Sequence, residues 1–273
     1  MGSAARVSEV GMGTYYDPQW IATAKTIGWM RGAAAKVEAL KAGLDGGMNF
    51  IDTAELYGSE PLVARAIKGR KREDLFIATK VWPNHLRKDA LVKALEKSLR
   101  RLETPYVDLY QVHFPNARVP IEETMGAMEE MKDKGKLLSI GVSNFSLQQT
   151  KDANSALKRS QLASNQVEYS LVDREIEADL LPYCESNKIS IICYYPLGHG
   201  RLTRSRASGK MEAVCKEYGK TPAQVAINWL VSGRNAFAIP RASRAEHVRE
   251  NLGASGWELE PEDRAQLDAA FPR

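Results

Sequence analysis

The sequence predicts an α/β fold, a (β/α)8 TIM barrel built by residues 1–273 as a single domain, and three observations carry that expectation. Short apolar runs alternate with stretches of helical character, which implies right-handed βαβ units and a parallel sheet. Counted along the chain, the strand-like runs number eight, the number that closes such a barrel. Nearly every run ends in a polar residue, so the polar groups fall at one end of the sheet. A doubly wound open sheet is the rival. Its glycine-rich phosphate turn is missing, because Gly11-x-Gly13 has no third glycine and no helical run directly behind it.

The elements follow in order. Residues 10–17 read as a short strand-like piece whose glycines allow close backbone approach, and 18–32 carry no decisive pattern. Residues 33–44 are rich in helix formers, and Gly46-Gly47 stops them. The run 47–52 then ends abruptly in Asp52, with Tyr57 in the loop behind it. A strand buried on both faces tolerates polar residues only where it emerges. Taken alone, this stretch also suits a strand followed by a helix cap. Strands are expected at 75–82, 107–113, 138–144, 163–169, 189–197 and 237–240. Helices are expected at 89–102, with Leu91, Leu95, Leu99 and Leu102 on one face, and at 121–134, 147–157, 175–187, 211–218, 222–231 and 244–252. No Pro/Gly/Ser-rich linker interrupts them.

Composition narrows the classes without choosing a function. With 44% hydrophobic residues, 273 positions suffice for a sizeable core. The 38 Lys+Arg against 34 Asp+Glu leave a net charge of +4 spread along the chain, with no basic tract to suit nucleic acid. Cys184, Cys193 and Cys215 are odd in number and lack a Cys-x-x-Cys spacing, as expected of reduced core thiols in a cytoplasmic protein. The segment Met1-Gly2-Ser3-Ala4-Ala5-Arg6 precedes no long apolar run, and nowhere do 18 apolar residues occur together, so neither secretion nor membrane spanning is expected.

The strand ends carry Asp52, Lys80, His113, Ser143-Asn144, Gln166, Tyr194 and Arg241. Singly each has a plain alternative: Lys80 suits a snorkelling surface lysine, His113 a satisfied core histidine, and Asn144 or Gln166 a loop-bonding amide. In register they form a ring at the carboxyl-terminal rim, where barrel active sites are built. Tyr57 is the ring's candidate proton donor, and its ordinary pKa of about 10 makes it a reluctant acid. Lys80 is expected to lower that pKa, with Asp52 pairing the ammonium and His113 orienting a carbonyl oxygen. No nucleophile elbow, metal-ligand cluster or glycosidase-type carboxylate pair accompanies them. Proton donation to a carbonyl requires a hydride donor, which no side chain supplies. In residues 239–251, Arg241, Ser243 and Arg244 surround an expected helix start, a suitable phosphate site, although an ordinary capped helix with a basic face accounts for them equally. Tyr16, Trp20, Trp82 and Phe114 lie on or near the expected rim loops and are candidates to wall an apolar pocket. Trp20 suits core packing nearly as well.

Over nearly its whole length the chain resembles the aldo-keto reductase family. The matching stretches are Gly47-Met48-Asn49-Phe50-Ile51-Asp52-Thr53-Ala54 with Tyr57-Gly58, Ala78-Thr79-Lys80-Val81-Trp82, Val107-Asp108-Leu109-Tyr110 with His113, Gly141-Val142-Ser143-Asn144-Phe145, Asn165-Gln166-Val167-Glu168-Tyr169, Pro196-Leu197, and the segment from Ile239-Pro240 to Glu250-Asn251. The resemblance implies reduction of small carbonyl compounds by NADPH, with NADH tolerated. Asp52, Tyr57, Lys80 and His113 match the catalytic tetrad. It further implies that Ser143, Asn144 and Gln166 hold the nicotinamide amide and that Tyr194 stacks on the ring. Arg241, Ser243 and Arg244 match positions that take the 2′-phosphate, Glu250 and Asn251 match adenine contacts, and Thr14 and Leu197 join the cofactor set. A monomer is expected. Tyr195 stands where the family often has Ser, and Phe114 where it often has Trp. The loop 198–202 is short, which argues against a long belt over the cofactor, and little chain follows 261–271. The alternatives are a non-catalytic nucleotide sensor, against which the complete tetrad stands, and a barrel hydrolase using Asp52 and Glu55, which leaves Lys80 and the arginines unexplained.

Overall fold

The computed structural model describes residues 6–26, 28, 30–203, 209–241 and 243–272. Residues 1–5, to which the expectation about a leader applies, lie outside the described residues. So do 204–208, beyond the short loop at 198–202, and Ala242 between the candidate phosphate ligands Arg241 and Ser243.

Eight parallel strands run in sequence order, β1 (Met12–Gly13), β2 (Phe50–Asp52), β3 (Phe76–Val81), β4 (Val107–Val112), β5 (Leu137–Ser143), β6 (Ser164–Glu168), β7 (Ser190–Tyr194) and β8 (Ala236–Ala238). The last returns to the first: Gly11 N–H donates to the Ala238 carbonyl at 2.8 Å, Ala238 N–H to Glu9 at 2.9 Å, and Gly13 N–H to Pro240 at 2.9 Å. The sheet is thereby a closed (β/α)8 barrel with no free edge.

Period-two alternation divides its side chains. Outward residues such as Ile51, Ile77, Val81, Tyr110, Val112, Ile140 and Val142 join the main apolar layer beneath the helices. Inward residues form a small separate cluster of Phe50, Ala78, Leu109, Ile192 and Ile239, joined by Val7, Phe76 and Phe237. The Phe50 ring meets Phe76 edge-on at 5.2 Å and Phe237 at 6.1 Å, which plugs the amino-terminal end. Room for Phe50 is made by Gly11, where an added Cβ would lie 2.8 Å from that ring.

The helices are α1 (Pro18–Thr26), α2 (Ala33–Asp45), α3 (Glu60–Ile67), α4 (Lys88–Leu102), α5 (Ile121–Asp133), α6 (Leu147–Ala156), α7 (Leu180–Ser186), α8 (Gly209–Tyr218), α9 (Pro222–Val231), α10 (Ala245–Leu252) and α11 (Pro261–Ala270). In α4 the face Leu91, Leu95, Leu99 and Leu102 is buried, as its spacing predicts. Capping boxes start α6 at Ser146 with Gln149 and α9 at Thr221 with Gln224.

Three expectations are corrected. The strand at 10–17 is reduced to Met12–Gly13 with an isolated bridge from Val10 to Ala238, because the chain turns toward α1 after Gly13. The helix at 175–187 is a 3-10 turn, Glu175–Ala178, followed by α7, since Asp179 leaves helical geometry at φ −151°. The strand at 189–197 ends at Tyr194, and Tyr195 enters the left-handed region at φ 48°. Helices α1, α3 and α11 are additions to the elements expected above.

Candidate active site

Parallel register sets Gly13 beside Asp52, Asp52 beside Ala78, and Lys80 beside Gln111, so inward side chains from successive strands converge at the carboxyl end. Lys80 is fully buried there. Its ammonium donates to both Asp52 carboxylate oxygens at 2.8 and 2.7 Å and to the Thr53 carbonyl at 2.9 Å. An ammonium has three protons, and all three are engaged. Gln166 Nε2 adds a bond to Asp52 Oδ1 at 2.8 Å. Burial lowers the Lys80 pKa from its ordinary value against the opposing pull of Asp52.

Tyr57 lies over this pair, its ring centroid 5.0 Å from Lys80 Nζ and its hydroxyl 3.3 Å from His113 Nε2. The expected lowering of its pKa is overturned: burial first, then the negative charge of Asp52, holds the phenol well above its usual range. Lys80 spends its protons on Asp52 and Thr53, so what faces the phenol is a compensated ion pair rather than a bare cation. His113 is pushed down to about 2 by burial and by Lys80, which keeps the imidazole neutral across the physiological range. Its ring is stacked on Phe114 at 5.1 Å and meets Trp82 edge-on at 5.3 Å, and its buried Nδ1 has no hydrogen-bond partner. A neutral phenol and a neutral imidazole side by side can place donors on one oxygen atom without introducing charge.

The amide-bearing side of the rim is a chain of hydrogen bonds. Ser143 Oγ donates to the Gln166 carbonyl at 2.9 Å. Asn144, left-handed at φ 61°, donates through Nδ2 to the His113 carbonyl at 2.9 Å and to Ser143 Oγ at 3.1 Å. Its Oδ1 accepts from the Tyr194 hydroxyl at 2.8 Å. Thr14 spends its hydroxyl on the Asp52 carbonyl and Ser59 Oγ, both at 2.9 Å. Leu197 is packed against the main apolar layer.

Beyond β8, Arg241 donates to the Tyr16 carbonyl at 2.7 Å, Ser243 lies in the turn before α10, and Arg244 is exposed, 3.5 Å from Glu246. On α10 itself, Glu250 lies 3.7 Å from His247 Nδ1, its carbonyl accepts from Gln224, and Asn251 is buried.

Trp82 and Phe114 gather around His113, whereas Tyr16 and Trp20 pack on each other at 4.9 Å within the main apolar layer, with Trp20 Nε1 donating to the Arg31 carbonyl at 3.0 Å. The side chain brought to Tyr57 from the β1 loop is Tyr15, edge-on at 5.3 Å. Tyr15 is absent from the rim residues expected above, although parity from the inward-facing Gly11 and Gly13 points to it.

A sequence profile of the aldo/keto reductase family matches residues 26–271. The chain belongs to the aldo-keto reductase family. It is 35% identical over 268 residues to methylglyoxal reductase YeaE of Escherichia coli (strain K12), spanning 96% of this chain and 90% of that protein. Among solved structures, a thermostable aldo-keto reductase, Tm1743, crystallised with the inhibitor epalrestat, superposes with a TM-score of 0.85 at 38% identity, covering 97% of this chain and 95% of that one. An aldo-keto reductase from Klebsiella pneumoniae in complex with NADPH gives a TM-score of 0.86 at 35% identity, covering 97% and 92%. This aldo-keto reductase is accordingly a nicotinamide-nucleotide-dependent oxidoreductase that reduces carbonyl groups. Its donor set fits such a nucleotide: the cluster Ser143, Asn144 and Gln166 beside the Tyr194 ring suits an aromatic amide, and Arg241 and Arg244 around Ser243 suit phosphate.

Proposed function

We propose that this aldo-keto reductase reduces small aldehydes, α-oxoaldehydes such as methylglyoxal foremost, with NADPH in preference to NADH and Tyr57 as proton donor. The observation that carries the reading is the pair of uncharged donors at the mouth, the Tyr57 hydroxyl 3.3 Å from His113 Nε2, with Trp82 and Phe114 around the imidazole. The name of the Escherichia coli relative, methylglyoxal reductase, supports the substrate class, and the complex of the Klebsiella pneumoniae relative with NADPH supports the cofactor.

Bound NADPH supplies the hydride. Ser143, Asn144 and Gln166 would hold its amide, Tyr194 would flank its ring, and Arg241, Ser243 and Arg244 would take the 2′-phosphate. His113 orients the carbonyl oxygen, and Tyr57 passes its proton to that oxygen as negative charge gathers there. The phenolate left behind develops 5.0 Å, centroid to Nζ, from the Lys80 ammonium, which Asp52 and Thr53 hold in position. Because that ion pair is already assembled, little reorganisation accompanies the transfer. Trp82 and Phe114 would form the pocket wall, with Tyr15 opposite in place of Tyr16 and Trp20.

A monomer in the cytoplasm completes the reading, its three free cysteines suiting a reducing compartment. Among the described residues no helix is long and apolar enough to cross a membrane. The test is NADPH oxidation against a carbonyl panel: higher kcat/KM for methylglyoxal than for bulky ketones, abolished by Tyr57→Phe, is expected. Equal turnover across the panel, or activity retained in the variant, would overturn the assignment.

A further inference from the structure

Outside the barrel wall, three arginines gather on one indole. The guanidinium centres of Arg174, Arg234 and Arg264 lie 5.0, 4.9 and 5.7 Å from the ring of Trp229, a fully buried residue of α9. A connected network joins them. The Tyr169 hydroxyl donates to Glu177 Oε1 at 2.7 Å and accepts from Arg234 Nη1, Glu177 bonds Arg174, and Arg174 shares Asp268 Oδ1 with Trp229 Nε1, which donates to it at 3.1 Å.

Charge is unevenly shared within this network. Both of its carboxylates, Glu177 and Asp268, are engaged by Arg174. Among the described residues, Arg234 bonds a neutral phenol and Arg264 a neutral carbonyl, its Nη2 donating to Ser232 at 2.9 Å, while the buried Arg264 Nη1 meets no acceptor. Asp268, one turn further along α11, tempers the Arg264 charge without bonding it, and burial together with the Arg234 charge lowers the Arg264 pKa. Cations withdrawn from water are ordinarily paired. Here two half-buried guanidiniums, one anchored on Ser232 and the other two residues beyond it, face the same indole with no carboxylate bonded to either.

We propose that Arg234 and Arg264 hold a phosphate-type oxyanion beside Trp229, and that this anion fastens α11 to the turn after α9. The planar fork of each guanidinium matches the paired oxygens of such an anion, and one anion supplies an acceptor for Arg264 Nη1 and a countercharge for both arginines. The site is separate from the nucleotide's. Arg234 precedes β8 whereas Arg241 follows it, so the two lie at opposite ends of that strand.

The test is calorimetric titration of inorganic phosphate into the full chain at constant ionic strength, with heat unfolding followed by circular dichroism. It is run in the Arg241→Ala/Arg244→Ala background, so that the phosphate site expected for the nucleotide contributes nothing, and again with Arg234→Gln or Arg264→Gln added. Saturable binding of one phosphate per chain is expected in the background protein, with the unfolding midpoint raised by about 2–4 °C at tenfold excess over the dissociation constant. Either Gln substitution should weaken that binding by at least about tenfold. General stabilisation by excluded anions does not saturate and is common to all the variants, so the difference between them isolates the site. Arg234 bonds a phenol alone, so Arg234→Gln disturbs the fold least and decides the matter should Arg264→Gln fail to fold. Absence of saturable binding in the background protein, or equal binding in a folded Gln variant, would overturn the proposal.

Discussion

Tyr57 and His113 are both held in their uncharged forms by burial, and the consequences can be read separately. Removing the phenolic oxygen in Tyr57→Phe leaves the ring contacts with Tyr15 and His113 in place. General acid catalysis contributes about 10²–10⁴-fold, so single-turnover reduction should slow by that factor while NADPH affinity stays near wild type. For His113 the sign of the pH effect follows from its pKa falling to about 2 in the folded chain. The unfolded chain titrates near 6.5. Above that value neither state binds the proton. As pH falls from about 6.5 toward 2, the unfolded chain gains a proton that the folded one refuses, and stability drains by at most about 1.4 kcal/mol per pH unit. Urea unfolding of wild type against His113→Gln should therefore show the wild type losing ground to the variant between pH 7 and 4. The wild-type kcat profile should have no inflection near 6.5 that vanishes in His113→Gln, because the imidazole carries no charge to lose there.

At the scale of the elements, the junction between β8 and α10 bears on cofactor choice. Charge-assisted bonds from arginine to phosphate are about twice as strong as neutral ones, and tenfold discrimination needs only about 1.4 kcal/mol. Replacing Arg241 and Arg244 together by Ala should weaken NADPH binding by at least about tenfold and leave NADH nearly unchanged. Equal weakening of both, measured by titration, would show that neither arginine reads the 2′-phosphate. This junction, like β2 through β8, was legible in the sequence because long periodic segments and abrupt polar strand ends survive folding unchanged. Helix α3 was not: its eight residues begin directly after Ser59, with Pro61 in the first turn, and are too few for a periodic pattern to stand out. Helix α1 is amphipathic only in context, Trp20 being the one residue it buries. The site was legible in its ionisable members but not in their electrostatics. Nothing in the residue order tells that Lys80 gives every proton to Asp52 and Thr53, and so the sequence alone implies a lowered Tyr57 pKa where the folded chain raises it. Tyr15 rather than its equally aromatic neighbour Tyr16 reaches Tyr57, because alternation from Gly11 and Gly13 turns the odd-numbered residues inward.

Across the whole molecule, Arg174 ties the loop after β6 to the carboxyl-terminal helix. Its guanidinium bonds Glu177 through Nε and Nη2, both at 2.9 Å, lies 3.0 Å from Asp268 Oδ1 on α11, and donates to the Phe271 carbonyl at 3.0 Å. Both Arg174 and Glu177 are buried, their side chains 8% and 5% exposed. Arg174→Met would remove both charge-assisted bonds to the buried Glu177 carboxylate together with the ties to Asp268 and Phe271, and a hydrogen bond to a charged group contributes about 1.5–3 kcal/mol. Thermal unfolding should shift accordingly, and a loss below about 1 kcal/mol would mean the pair behaves as a surface contact.

The aromatic plug of Phe50, Phe76 and Phe237 has a bearing on turnover as well as on packing. With its lower end stoppered by rings that can neither donate nor accept a proton, the barrel is a vessel with one opening. With Tyr57 as the proposed donor, every reduction would consume its proton, and the replacement would enter by the same mouth through which the alcohol and the spent nucleotide depart. Recharging the acid is thereby chained to emptying the site: slow departure of the products delays not only the exchange of nucleotide but also the refuelling of the acid for the next cycle.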